Sequence, residues 1–286
     1  MASAVEWPLT YLFVPGNRPE RFAKALASGA DRIIIDLEDA VAPDDKPAAR
    51  AAIAQWFADY RASLGDDCNR VIIRINDAAT AWYVQDVALA ASLQVACVML
   101  PKCEAASQVA AVLSQLTQGA TVLPLIETAR GMVALHEIAT APGVARLAFG
   151  SLDYMADLDI PAGSAALDFA GAQIAIASRA AGLASPVSGV TPDLGAAKVQ
   201  ADMSHDRTLG FASKMCIHPA QIAAVRMALA PSATELAWAR RVLQTWNASS
   251  GGVGGIGGVL ALDGKMVDKP VVLKAERIAA LAARTS

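Results

Sequence analysis

The chain has 286 residues, 55% of them hydrophobic and 18% charged, so a large core is available and wholesale disorder is excluded. A net charge of -3 and a pI near 5.6 leave no basic stripe for nucleic acid or an anionic membrane. A mean hydropathy of +0.38 raises the membrane question, but no run of about 18 apolar residues could span a bilayer, and much of the apolar count is Ala.

The first apolar run ends at Pro15-Gly16 and no basic segment precedes it, so no signal peptide is expected. The four cysteines (Cys68, Cys97, Cys103, Cys216) have neither C-x-x-C spacing nor the density of a secreted scaffold. Reduced thiols and a cytoplasmic location are the expectation.

Short β-rich runs then recur at intervals of roughly 20 to 35 residues, separated by Ala-rich segments of helical period. They are Tyr11 to Val14, Ile33 to Ile35, Val71 to Asn76, Cys97 to Lys102, Val122 to Glu127 and Leu147 to Gly150. Two weaker ones lie around Pro186 to Val190 and from Phe211 to Ile217. Eight such units before residue 230 predict an α/β fold, a (β/α)8 TIM barrel over 1–230, with an extension over 231–286. Pro19 to Ala27 reads as a helix with Pro at its first position, and Ser232 to Glu235 has capping-box spacing for another. The Gly-rich stretch 249–258 reads as a hinge or lid linker. Beyond it, Val259 to Leu262, a turn at Asp263-Gly264 and a helix from Pro270 make an appendage too small to fold alone. It is expected to pack on its own barrel or on a neighbouring subunit.

The strands are nearly continuously apolar, as when both faces are covered. Their polar residues (Asp36, Glu38, Asp39, Arg74, Lys102, Glu127, Asp153, Lys214) gather at the C-terminal ends, the active-site edge of a parallel barrel. Glu127 closes one strand and Asp153 lies just past the next. With neighbouring strands about 4.8 Å apart, the two carboxylates can share one ion. All-oxygen ligands favour Mg2+, with Mn2+ possible, and leave positions for water and a chelating substrate. The alternative is a pair of salt bridges to Arg130 and Lys102. Asp36, Glu38 and Asp39 place three acids within four residues, where they hold metal-bound waters or form a helix-start cluster. Strand alternation would send Asp36 and Glu38 to one face and Asp39 to the other.

Arg74 lies inside an apolar strand, either as structural partner to Asp36 and Glu38, as planar donor to a carboxylate or developing oxyanion, or both. Arg18 and Lys24 flank the first strand end, to meet phosphates or to be solvated surface. His218 reads as structural or supporting rather than as a general base. No G-x-S-x-G elbow, P-loop or dinucleotide turn is present.

The segments Leu12 to Phe22 and Asp36 to Val41 resemble the opening of citrate lyase β-subunit-like proteins, with the malyl-CoA and citramalyl-CoA lyases of the HpcH/HpaI aldolase superfamily. The likeness continues through Val71 to Asn76, Pro124 to Thr128, Phe149 to Asp153, Ile217 to Pro219 and Asp263 to Pro270, covering nearly the whole chain. An Arg-Ser pair often precedes the first strand in that family, and Leu9-Thr10 stand there here. The resemblance implies a homotrimeric TIM barrel with Mg2+ on Glu127 and Asp153, substrate bound at those residues and Arg74, and catalysis by Arg74. It further implies CoA contacts at Arg18 and Lys24, and acid/base catalysis by Asp268 contributed from the adjacent subunit. The implied activity is a carbon–carbon lyase acting on a citryl-, malyl- or citramalyl-type thioester, carried by CoA or an acyl carrier protein. A malate-synthase-like condensation with hydrolysis, a non-catalytic acyl-CoA-binding subunit and a thioester-independent aldolase are the competing readings.

Overall fold

The computed structural model describes residues 7–250 and 260–285. Eight parallel strands close into a barrel in sequence order: β1 (Thr10–Pro15), β2 (Arg32–Asp36), β3 (Val71–Arg74), β4 (Cys97–Leu100), β5 (Thr121–Ile126), β6 (Ala148–Phe149), β7 (Val187–Ser188) and β8 (Ser213–Cys216). β8 pairs back onto β1 through Thr10, Tyr11 and Leu12, so the sheet has no free edge. Every run expected from the sequence is a strand, shortened where its polar end turns out of the ladder.

Around the barrel lie α1 (Phe22–Leu26), α2 (Lys46–Leu64), α3 (Tyr83–Ser92), α4 (Ala106–Leu113), α5 (Ala129–Val133), α6 (Leu135–Thr140), α7 (Ser151–Leu158), α8 (Ala165–Ala180), α9 (Ala196–Leu209) and α10 (Gln221–Leu229). The expected helix at Pro19 is split, a 3-10 turn over Pro19–Arg21 leading into α1.

The period of two along each strand sorts its side chains. Tyr11, Ile34, Ile72, Met99, Leu123, Leu125, Ala148, Val187 and Met215 form one buried cluster inside the barrel. Alternate residues such as Ile33, Ile35, Ile73 and Val98 are equally buried, because helices cover the outer face. At the N-terminal end Arg146 is only 3% exposed. Its Nη1 donates to the Pro8 carbonyl at 2.7 Å and the Tyr11 hydroxyl at 3.1 Å, so the buried cation is fully engaged. The C-terminal end is left for chemistry.

A second compact unit begins at Arg226, inside α10. It contains α11 (Ala233–Ser250), a hairpin of β9 (Leu260–Leu262) and β10 (Lys265–Val267), and α12 (Lys269–Thr285). Ser232 and Glu235 make the expected reciprocal cap, Glu235 N–H donating to Ser232 Oγ at 3.1 Å and Ser232 N–H to Glu235 Oε2 at 2.8 Å. Ala239, Val242, Val267, Val272 and Ala275 form a small core within the unit. Of the hinge expected over 249–258, Ser249 and Ser250 end α11, and the rest lies outside the described residues.

Candidate active site

Strand register builds the mouth. Asp36 and Arg74 are paired positions at the ends of β2 and β3, and Ile126 pairs with Phe149 one residue before Glu127 and Gly150. Arg74 is held on every side. Its Nε donates to Asp36 Oδ1 at 2.7 Å and its Nη2 to Asp36 Oδ2 at 2.6 Å, a bidentate pair. Nη1 donates to Asp39 Oδ2 at 3.2 Å and lies 2.8 Å from Glu38 Oε2. The second contact is ionic, since Glu38 Oε2 accepts no hydrogen bond in its buried position. The Phe13 ring covers the guanidinium at 4.9 Å. Burial opposes the charge on Arg74, but the charge and hydrogen bonds of Asp36, then Glu38 and Asp39, outweigh it and raise its pKa.

Asp39 is therefore not on the opposite side, as strand alternation would have it. β2 ends at Asp36, and the turn after it brings Asp39 back to Arg74. Asp36 itself organises that turn, accepting from Glu38 N–H at 2.9 Å and Ala40 N–H at 3.0 Å. The three acids act together on Arg74.

Glu127, only 1% exposed, extends from β5 beneath Gly150. Its Oε1 accepts the backbone N–H of Lys102 at 2.8 Å. Lys102 is a non-glycine residue at φ +43, a conformation costing on the order of 1 kcal/mol that turns its amide onto Glu127. Burial first, then the neighbouring Glu38, with a further push from Asp153, raise the Glu127 carboxyl to about 8. Asp153 sits in the first turn of α7 rather than on a strand end, and lines the same cavity as Glu127 and Arg74.

Neither salt bridge considered for these acids is present among the described residues: Arg130 reaches Glu104 at 3.8 Å, and Lys102 Nζ reaches Glu38 at 2.9 Å. The donor set fits a hard divalent cation. Two carboxylates share one cavity, one of them buried with its proton affinity raised for want of a positive charge. Among the described residues no group of three or more His, Cys, Asp or Glu side chains is arranged to hold a metal, so an ion on Glu127 and Asp153 would keep positions for water and substrate.

The cavity has a volume of about 370 Å³. Asp36, Asp39, Arg74, Glu127 and Asp153 line it together with Phe13, Leu125, Val190 and Met215. Sequence reading missed the last four and Gly150. Phe13 and Met215 carry no polar signal, and their inward phase on β1 and β8 was the only clue. A Cβ on Gly150 would fall 2.6 Å from Glu127 Cβ, a close approach that only glycine allows.

Other candidate residues lie elsewhere. Lys214 is buried but donates to Ser188 Oγ at 3.0 Å and Asp206 Oδ2 at 3.1 Å, and lines a neighbouring cavity that shares Ser151, Leu152 and Val190 with the first. His218 is exposed, and its Nδ1 accepts from Ala220 N–H at 3.1 Å. Arg18, with Nε 2.7 Å from Glu20, and Lys24 are both exposed around the 3-10 turn and α1. Asp268 belongs to the second unit, where it caps α12 by accepting from Val271 N–H at 3.1 Å. All four cysteines are free. Among the described residues no helix is long and apolar enough to cross a membrane.

Comparison with known proteins adds what geometry cannot. The profile of the HpcH/HpaI aldolase/citrate lyase family matches residues 9–219, the span of the barrel. The chain belongs to the HpcH/HpaI aldolase/citrate lyase family. Within that family it is 37% identical to a citrate lyase subunit beta-like protein of Mycobacterium tuberculosis, over 93% of this chain and 92% of the relative. It is 33% identical to a (3S)-malyl-CoA thioesterase of Cereibacter sphaeroides, over 95% and 96% of the two chains. Among solved structures, CitE of M. tuberculosis in complex with magnesium, acetoacetate and coenzyme A superposes with a TM-score of 0.81 at 36% identity, covering 96% of this chain and 98% of that one. A citrate lyase beta subunit of M. tuberculosis with oxaloacetate and magnesium gives 0.69 at 35% identity, covering 78% and 97%.

Proposed function

We propose that this family member is a Mg2+-dependent carbon–carbon lyase that cleaves a 3-hydroxyacyl thioester to an acyl thioester and a 2-oxo acid, reversibly and by Claisen-type chemistry. One observation carries the reading: a buried, cation-seeking Glu127 shares a cavity with Asp153 and with an Arg74 locked in place by three carboxylates. Glu127 and Asp153 would hold the ion, which when bound supplies Lewis acidity to the hydroxyl and carboxylate end of the substrate.

Cleavage breaks the bond between the carbinol carbon and the carbon alpha to the thioester. The hydroxyl proton passes to solvent at the cavity mouth, the carbinol becomes the carbonyl of the 2-oxo acid, and the bonding pair passes to the thioester enolate. Arg74 is placed to meet that charge. Its Nη1, 2.8 Å from Glu38, has one partner that can give way, because Asp39 is 63% exposed and 3.2 Å away and can yield to a substrate oxygen. Asp36 and Glu38 keep the guanidinium oriented meanwhile. Asp268, supplied by an adjacent subunit of a trimer, would return a proton to the alpha carbon. Arg18 and Lys24 would meet the phosphates of CoA, with an acyl carrier protein as the other possible carrier of the thioester. The setting is the cytoplasm, consistent with free thiols.

A second reading adds hydrolysis of the thioester, and the (3S)-malyl-CoA thioesterase relative favours considering it. Incubation of a hydroxyacyl-CoA panel with Mg2+ and identification of products tests both. An acyl-CoA plus a 2-oxo acid supports the lyase, a free acid plus CoA supports hydrolysis, and no turnover with any thioester overturns both. Asp268→Asn is expected to leave Mg2+ binding intact while stopping proton exchange at the acetyl methyl.

A further inference from the structure

Lys46 is a cation in an unfavourable place. It opens α2, at the positive end of the helix dipole, and is only 3% exposed. Its Nζ donates to two backbone carbonyls, Leu37 at 2.8 Å and Glu38 at 2.9 Å, rather than to a carboxylate, and lies 4.9 Å over the Trp82 ring. Burial pushes its pKa down, and Asp36, Asp86, Glu38 and Asp39 pull it back only in part. A neutral side chain would fill the same space without the desolvation cost, so packing does not account for the placement.

What Lys46 grips is the turn after β2. The Asp36 carboxylate ties down the amides of Glu38 and Ala40, and Lys46 takes the carbonyls of Leu37 and Glu38. The Leu37 carbonyl accepts a second donor, Asn76 Nδ2 at 2.9 Å. Asn76 is itself held by Asp86 Oδ2, which accepts from its Nδ2 at 2.6 Å and its N–H at 2.9 Å. Asp86 is fully buried, and its Oδ1 accepts from Arg50 Nη1 at 2.9 Å. Residues of α2, α3 and the end of β3 thus converge on two peptide units. From those units project Glu38 and Asp39, the two acids on Arg74 Nη1. Asp36 needs no such support, because strand register alone sets it opposite Arg74.

We infer that Lys46 is a positioning residue for Arg74: through the Leu37 and Glu38 carbonyls it fixes the turn that carries Glu38 and Asp39 to the guanidinium. Its effect on turnover rests on the lyase reading, whereas its effect on Arg74 does not. Without that hold the two acids drift and Nη1 loses its aim, and a misplacement of about 1 Å can cost on the order of 100-fold in rate.

Lys46→Met keeps an apolar stem of similar length and removes the charge and the donors. Reaction of the intact protein with phenylglyoxal, which attacks guanidines, is followed residue by residue by peptide mapping. Arg146, 3% exposed at the other end of the barrel, reports general loosening. Arg74 is expected to react at least about fivefold faster in the variant while Arg146 stays unchanged, as local rather than global opening requires. An equal rise at both arginines, or none at Arg74, overturns the inference.

On a hydroxyacyl-CoA that the parent protein cleaves, kcat is expected to fall roughly 10- to 100-fold. KM and calorimetric Mg2+ affinity should stay within about threefold, since neither Glu127 nor Asp153 is touched. An unchanged kcat in the folded variant also overturns the inference. Should Lys46→Met fail to fold, Lys46→Gln keeps one donor and is expected to speed Arg74 modification by about threefold, with no change there counting as refutation. Should the parent protein cleave no thioester, the lyase reading falls, and the reactivity of Arg74 against Arg146 still decides the role of Lys46.

Discussion

Glu127 and Arg74 are opposite solutions to the cost of a buried charge. Arg74 is satisfied by Asp36, Glu38 and Asp39, whereas Glu127 receives one backbone amide and has two like charges nearby. The consequence for Glu127 is measurable. Its carboxyl titrates near 8 in the folded protein against 4.5 as a free group, so between these values the folded state retains a proton that the unfolded chain has lost. Stability of the metal-free protein should therefore fall as pH rises from about 4.5 to 8 and level off above that. Saturating Mg2+ competes with the same proton, so the stabilisation it gives should grow over that window. Thermal melts from pH 5 to 9 with and without Mg2+ check this, and Glu127→Gln should remove both trends.

For Arg74, replacement by Lys keeps the charge but not the planar fork. It should cost about 2 to 4 kcal/mol of stability, because Asp36 and Glu38 lose buried partners. Turnover should drop at least about 100-fold. Denaturant unfolding and initial rates read the two effects separately. Both residues were legible in the sequence, as lone charges ending or interrupting apolar strands. Their partners were only partly so, because the return of Asp39 depends on where β2 stops.

At the scale of elements, the site is a set of strand-to-helix junctions. At the β6–α7 junction Gly150 N–H bonds to the Ile126 carbonyl at 2.9 Å, and its missing side chain makes room for Glu127. Gly150→Ala should push the Glu127 carboxylate off its position and weaken Mg2+ binding by about tenfold or more, at a cost of about 1 to 3 kcal/mol in stability. Titration calorimetry and melting of the same sample test it, and unchanged Mg2+ affinity would show that Glu127 is not a ligand. Sequence periodicity found all eight strands but placed Asp153 on a strand end. The helix starts at Ser151 because the two-residue β6 gives way at Gly150, a boundary that an apolar run does not mark. The capping box at Ser232 was readable because its logic is local, one hydroxyl and one carboxylate three residues apart.

For the whole molecule, barrel closure carries the argument. Arg74, Glu127 and Asp153 are separated by tens of residues, and they meet because parallel strands joined by helices all end on one face. If Asp268 completes the site from a neighbouring chain, Glu127→Ala and Asp268→Asn proteins, each inactive alone, should recover part of the activity when unfolded and refolded together. Activity that stays at zero in mixed oligomers, confirmed by differential tagging, would place Asp268 in its own chain's chemistry or outside it.

The sequence by itself determined the eight β/α units, the family, the polar strand ends and the capped start of α11. Those follow from periodicity and from short-range chemistry that needs no distant partner. Only the tertiary structure decided that three acids converge on Arg74, that Lys102 and Lys214 serve other partners, and that apolar side chains line the same cavity as the acids. Each of these turns on which side chains from remote strands share a low-dielectric cavity. That is where a charge without a partner becomes costly.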